Sequence, residues 1–225
     1  MKKKDTVLED IRNKITTGEM APGKWITERE ICEIYDMSRT PVREILWKLA
    51  ALNLIEVVGE KGYRIKKYTI EDIIEVFNAR KAIEGECARL ACISDDEGYD
   101  AKVQDLIHRL NAVSEDNTSE LIKLGSQVHV FIQEQSKNKY LKEFNQRIYS
   151  LVSIIRNTTK SFQPIEKKSK DAHIEILNAL ARRDGNACAI AMRKHLQDTC
   201  VAMVNNNCIN LLGNDDFILD KGENV

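Results

Sequence analysis

The sequence predicts a mainly α-helical protein in two parts: a short N-terminal helical module closed by a hairpin, then an antiparallel helical bundle. Three observations carry this prediction. Apolar residues recur at helical spacing through most of the 225 residues. Only 10 Gly and 3 Pro occur, too few for a loop-rich β-sandwich or a disordered chain. The β-like pattern is confined to two short runs, Leu54–Val58 and Tyr63–Lys66, joined by the turn sequence GEKG.

The N-terminal elements follow in order. Val7, Leu8, Ile11 and Ile15 mark one helical face, and Gly18 ends that helix. APGK (21–24) reads as a turn. Thr27 has N-cap chemistry, with Glu30 three residues on as its capping-box partner. The short helix that follows turns Ile31, Ile34 and Tyr35 inward. Asp36-Met37 is a tight turn, and Asp tolerates left-handed backbone better than most side chains. Ser38 then starts the helix SRTPVREILWKL. Pro41 falls in its first turn, where a missing N–H costs little. Val42, Ile45, Leu46 and Leu49 form its i, i+3, i+4, i+7 stripe. Asn53 can end it in a left-handed cap. Helix, helix, turn, helix and hairpin make a winged helix-turn-helix layout over residues 1–68.

From Thr69 the pattern is helical throughout. The first helix runs from Ile70 to Cys92, the second lies within 95–116, and others cover about 119–135, 138–160, 165–183 and 186–205. The breaks are short, as between antiparallel neighbours in a bundle. This part spans 69–212, and 213–225 reads as a polar tail. Residues 1–68 hold 14 Lys and Arg against 11 Asp and Glu, and residues 69–225 hold 20 against 24. A mildly basic module is thus joined to a mildly acidic one.

Composition excludes several classes. No apolar stretch approaches the ~20 residues of a membrane span, and the lysines of MKKKDTVLED precede no apolar run of a signal peptide. The six cysteines form no CxxC pair and several fall on apolar helical phases, so buried free thiols in a reducing cytoplasm are expected. HExxH, GxSxG and P-loop strings are absent.

The exposed face of 38–49 carries the chemistry. With the apolar stripe inward, Arg39, Thr40, Arg43 and Trp47 face out. A recognition helix meets base edges at its N-terminus, where free N–H groups also favour phosphate. The planar fork of arginine pairs bidentately with guanine. Ser38 and Thr40 can reach phosphates, Arg29 of the preceding helix can add a contact, and the hairpin tip with Lys61 and Gly62 can lie along the backbone or in the minor groove. The competing reading is a solvated helix face, which the cap, the preceding helix and the following wing disfavour.

Of four histidines, His129, His173 and His195 fall in separate bundle helices near apolar positions. They are satisfied core groups or the ligands of one cation. Arg80 stands one turn before Glu84: either an intrahelical pair or a pocket arginine whose fork suits a carboxylate. His108 lies in a polar stretch and has no assigned role.

The strings IRNKITTGEMAPGKWITEREICEIYDMSRTPVREILWKLAALNLIEVV and GEKGYRI, over about Val7–Ile65, resemble the N-terminal domain of the GntR family of bacterial transcriptional regulators. Asp36 and Asn53 stand where that family often has glycine. The pattern Arg80…Glu84…Leu90-Ala91, then VHVFIQEQSKNKYL and AHIEILNALARRDGNACAIAMRKHL, resembles the FCD ligand-binding domain of the FadR-like branch over about 70–205. The first resemblance implies DNA contacts by Arg29, Ser38, Arg39, Thr40 and Arg43. The second implies a divalent metal such as zinc or nickel on His129, His173 and His195, and a carboxylate effector at Arg80. The aspartate that usually completes the metal site four residues before the first histidine is Gly125 here. Together they imply a cytoplasmic homodimeric repressor that binds a pseudo-palindromic operator and responds to a small organic or sugar acid. The alternative of another class is a metal-dependent enzyme or small-molecule carrier with a scaffolding N-terminal module.

Overall fold

The computed structural model describes the backbone of residues 3–59, 62–158 and 163–213. Among these are nine helices and three short strands: α1 (Lys3–Thr16), β1 (Trp25–Ile26), α2 (Glu28–Tyr35), α3 (Arg39–Ala51), β2 (Ile55–Val57), β3 (Tyr63–Ile65), α4 (Ile70–Ala91), α5 (Tyr99–Ala112), α6 (Thr118–Gln135), α7 (Lys139–Thr158), α8 (Gln163–Ala181) and α9 (Gly185–Gly213). The chain divides into two compact units, one gathering Met1–Thr69 and Gln146–Thr158, the other Ile70–Asn145 and Thr159–Val225.

In the first unit the expected stripe of α3 is the centre of the core. Val42, Ile45, Leu46 and Leu49 are fully buried with Ile11, Ile15, Ile26, Ile31, Leu54 and Ile65. Each such side chain stabilises the fold by about 1.5–3 kcal/mol relative to exposure. Ile154 of α7 belongs to the same cluster. Thr27 accepts a hydrogen bond from the Glu30 amide and so caps α2. Asp36 (φ 48°) and Asn53 (φ 58°) both adopt left-handed backbone, and the Asp36 amide donates to the Cys32 carbonyl. Ile34 departs from expectation, being 60% exposed. An eight-residue helix buries one narrow face, and Ile31 and Tyr35, one turn apart, take it.

The sheet order is β1-β3-β2, all antiparallel. β1 falls between the APGK turn and the Thr27 cap, where two residues show no periodicity. On the outward face Arg64 pairs with Glu56 across β2–β3 at 2.6 Å and lies over the Trp25 ring across β1–β3. Gly62 closes the hairpin at φ +103°, with the Ile26 carbonyl oxygen where a Cβ would approach to 3.1 Å. That close approach of backbone needs glycine.

In the second unit α4 packs along α9, α9 along α8, and α6 against both α4 and α8, closing a ring of four helices; α5 lies on α6 and α8. Small residues let α4 approach α9: a Cβ on Gly85 would meet Arg193 Nε at 2.7 Å. Asn117 caps α6 by accepting from the Glu120 amide. Helix α9 continues beyond the expected end near 205, to Gly213. Residues 214–225 lie outside the described residues.

Candidate nucleic-acid interface and metal centre

The start of α3 is held open to the outside. Ser38 has extended backbone (φ −72°, ψ 163°) as N-cap, but its side chain makes no capping bond. The hydroxyl is therefore not committed to its own helix. Ser38, Arg39 and Thr40 are exposed, as are Arg43 and Arg29. Trp47 is 67% exposed. Arg43 Nε donates to Glu28 Oε1 at 2.7 Å, a bond from α3 back to α2. It engages Nε of the guanidinium, and the side chain as a whole stays more than half exposed. Arg29 pairs loosely with Glu33 at 3.3 Å along α2, an exposed pair of little energetic weight. Lys61 falls outside the described residues. Neither arginine of the recognition helix is packed inside, the condition that base readout requires.

The second constellation is buried. The four helices of the ring each contribute to it: Arg80 and Glu84 from α4, His129 from α6, His173 from α8 and His195 from α9. All five residues are under one-tenth exposed. Arg80 Nε donates to Glu84 Oε1 at 2.6 Å, so the intrahelical pairing is realised. The other carboxylate oxygen, Oε2, lies 2.6 Å from His129 Nδ1. Burial opposes the charge on Glu84, but the Arg80 guanidinium and His129 outweigh it and hold the carboxyl well below its usual range. An ionised Glu84 accepts from Nδ1–H of His129 and so fixes the tautomer that leaves Nε2 bare.

That Nε2 lies 3.2 Å from Nε2 of His173. The His173 and His195 ring centroids are 4.4 Å apart, and one ligand nitrogen from each of the three histidines falls within 4.8 Å of the others. In a tetrahedral site with nitrogens ~2.0–2.1 Å from zinc, ligand nitrogens stand roughly 3.3–3.4 Å apart, close to the His129–His173 separation. Burial, then the neighbouring His173 and His129, push His195 well below its ordinary pKa, so it is a neutral imidazole with a lone pair to offer. The donor set therefore fits a late first-row divalent ion. Gly125 faces the same centre, and a Cβ there would lie 2.6 Å from His173 Cε1.

A cavity of about 410 Å³ opens between α8 and α9 with His195 in its wall. Lys168 and Ser169 line it from α8, and Asp198, Thr199 and Asn205 from α9. Its size suits a small metabolite. The sequence reading missed this lining, because it depends on how two helices pair. It also assigned Glu84 no partner besides Arg80. A signal existed: both residues lie on the apolar stripe of α4 with Ile73, Phe77, Cys87 and Ala88, where an ionisable group needs a buried partner. The described cysteines are all free, and burial pushes the Cys87 thiol up to about 11, which makes it inert.

No helix among the described residues is long and apolar enough to cross a membrane. Residues 3–65 match the bacterial regulatory proteins of the gntR family, and residues 75–198 match the FCD domain. The chain is 26% identical over 196 residues to the HTH-type transcriptional repressor GlaR of Escherichia coli, covering 83% of this chain and 89% of that protein. It is 26% identical over 207 residues to the HTH-type transcriptional regulator LutR of Bacillus subtilis, covering 81% and 92%. Among solved structures, Escherichia coli McbR/YncC superposes with a TM-score of 0.73 at 18% identity, covering 92% of this chain and 99% of that one. A GntR regulator from Rhodococcus superposes at 0.71 and 21%, covering 91% and 99%. An open recognition helix in a winged helix-turn-helix, followed by a helical FCD domain, places the chain in the GntR family of bacterial regulators, as a DNA-binding transcriptional regulator of the FCD branch.

Proposed function

We propose that the protein is a cytoplasmic homodimeric repressor whose grip on a pseudo-palindromic operator is set by a small organic or sugar acid. The observation that carries this is the exposed Arg43 beside Arg39 at the start of α3. Residues 1–68 are the DNA-reading module, with Arg29, Ser38, Arg39, Thr40, Arg43, Lys61 and Gly62 as its contacts. Residues 69–212 sense the effector and dimerise, and 213–225 form a tail. Two-fold symmetry of the protein calls for two half-sites about one helical turn or a multiple apart. The relative GlaR, named a repressor, supports the sign of regulation.

His129, His173 and His195 hold a divalent ion, zinc or nickel by the chemistry of neutral imidazoles. The ion supplies a Lewis-acidic anchor for an oxygen ligand. Glu84 keeps His129 in the ligand tautomer, and Arg80 keeps Glu84 ionised. The α8–α9 cavity admits the acid. Lys168 offers a cation at its wall, and Arg80 has terminal nitrogens beyond the one given to Glu84 for a carboxylate. The effector shifts DNA affinity only by as much as it distinguishes the two states of the helical part.

The test is to sequence the genomic DNA fragments the purified protein retains, with and without a panel of carboxylic acids. A shared palindromic motif that one acid releases is expected; indiscriminate retention defeats the reading. Independently, His173→Ala is expected to lose the bound metal. Elemental analysis should find about one ion per chain in the unaltered protein and essentially none in the variant, since three nitrogens are the fewest that make a stable site here.

A further inference from the structure

We propose that Cys92 and Cys188 form an oxidisable thiol pair, which a hydroperoxide closes into a reversible disulfide stapling the end of α4 to the start of α9. The two are far apart in sequence, and antiparallel packing brings them together. Lys81 of α4 donates to Gln197 of α9. One turn on, Gly85 lies against Arg193, and a turn beyond that Arg89 lies against Gly185. Continued to the end of α4, this register sets Cys92 opposite the first turn of α9, which holds Cys188. There the two thiols hydrogen-bond to one another. Both are free and buried, at 2% and 0% exposure. Cys92 stands one residue past α4, next to Ile93, which is 75% exposed. Helix ends open most readily, so a small oxidant reaches the pair by local opening. A disulfide in a reducing compartment is characteristically of this transient, sensing kind.

The surroundings divide the roles. The hydrogen bond from Cys188 is the main cause that holds the Cys92 thiol below its ordinary pKa, and the Arg183 cation acts in the same direction. The same bond, then burial, pushes Cys188 up. Cys92 is therefore the attacking sulfur and Cys188 the resolving one. The Cys92 thiolate attacks one peroxide oxygen, the O–O bond breaks, hydroxide leaves, and Cys92 becomes a sulfenic acid. The Cys188 thiol then attacks that sulfur, the S–O bond breaks, and water leaves with the Cys188 proton. Hydroxide takes up the proton that Cys92 gave, so two thiols lose two electrons and one peroxide becomes two waters. Tyr99 supplies a donor beside them. Its hydroxyl is buried and has no hydrogen-bond partner among the described residues, which is uncommon for a buried polar group. Burial, then the nearby Cys92 sulfur, push it above its ordinary pKa, so it keeps its proton. A sulfenic oxygen on Cys92 gives that hydroxyl an acceptor. The closed link lies about two turns from Glu84 along α4 and from His195 along α9, so oxidation stiffens the two helices that carry them.

The experiment uses the full chain and hydrogen peroxide as the probe. After oxidation, the remaining thiols are blocked and the chain is digested. Mass spectrometry is expected to find peptides joined through Cys92 and Cys188, with the intact chain lighter by two hydrogens, and dithiothreitol is expected to restore the original mass. Cys188→Ala removes the resolving thiol. Cys92 should then stop at the sulfenic acid, captured by dimedone, with complete loss of the joined peptides. Should that variant fold poorly, the wild-type map still decides, and urea supplies the comparison. Oxidised in urea, the unfolded chain should scatter its links among its six cysteines. In the folded protein, both thiols left free overturn the proposal. So does either one joined to Cys32, Cys87 or Cys200 as often as to its partner, or a link that dithiothreitol does not open. The readout involves neither DNA nor a metal, so its failure is distinct from failure of the function proposed above.

Discussion

Replacing Glu84 by alanine is expected to destabilise the helical unit by about 3–5 kcal/mol, the cost of leaving a buried charge without its partner. Arg80 has 6% side-chain exposure and Glu84 3%. With the carboxylate gone, the guanidinium keeps its charge in a buried place without that partner. His129 loses its acceptor at the same time. Urea denaturation followed by the helical circular dichroism signal checks the size. The double replacement Arg80→Met with Glu84→Leu should cost far less than Glu84→Ala alone, because it removes both charges and keeps the volume filled. A loss below about 1 kcal/mol for Glu84→Ala, the range of exposed pairs, would show that water reaches this pair.

Arg43→Ala is expected to weaken operator binding by about 1–3 kcal/mol, and to relax the preference for the base pair it reads. Fluorescence anisotropy on operator and scrambled duplexes separates the two outcomes. Loss on the operator alone means base readout, while equal loss on both means a phosphate contact. Raising salt from about 50 to about 200 mM should weaken binding of either duplex by orders of magnitude if several phosphates are neutralised at once. A flat salt response would contradict contacts by Ser38, Thr40 and the arginines at the backbone. Glu28 makes a third arm. Glu28→Gln keeps the shape and drops the charge that anchors Arg43, so it should weaken binding less than Arg43→Ala does.

Much of the DNA-reading unit was legible because its determinants are local. The stripe Val42, Ile45, Leu46 and Leu49 sits inward as its spacing requires, the Thr27 cap lies within three residues of its partner, and the left-handed backbone falls on Asp36 and Asn53, side chains that tolerate it. What escaped was either too short to have a period, as β1, or decided by competition for one narrow face, as the exposure of Ile34. The helical unit was legible in its elements and less so in its centre. Three histidines on three helices were visible as candidates. That His129 meets Glu84 across 45 residues, or that the ring of His173 fills the space beside Gly125, depends on how α6 seats against α4 and α8. No local pattern encodes that.

The ring of four helices has a further consequence. Three of them, α6, α8 and α9, bring one histidine each to a single centre, and α4 supports it through the Glu84 contact to His129. An occupant of that centre acts as a knot tying distant lengths of chain together, so its binding free energy adds directly to the folding of the unit. Fold integrity then tracks the supply of the occupant, and starving the protein of it would loosen every one of those helices together.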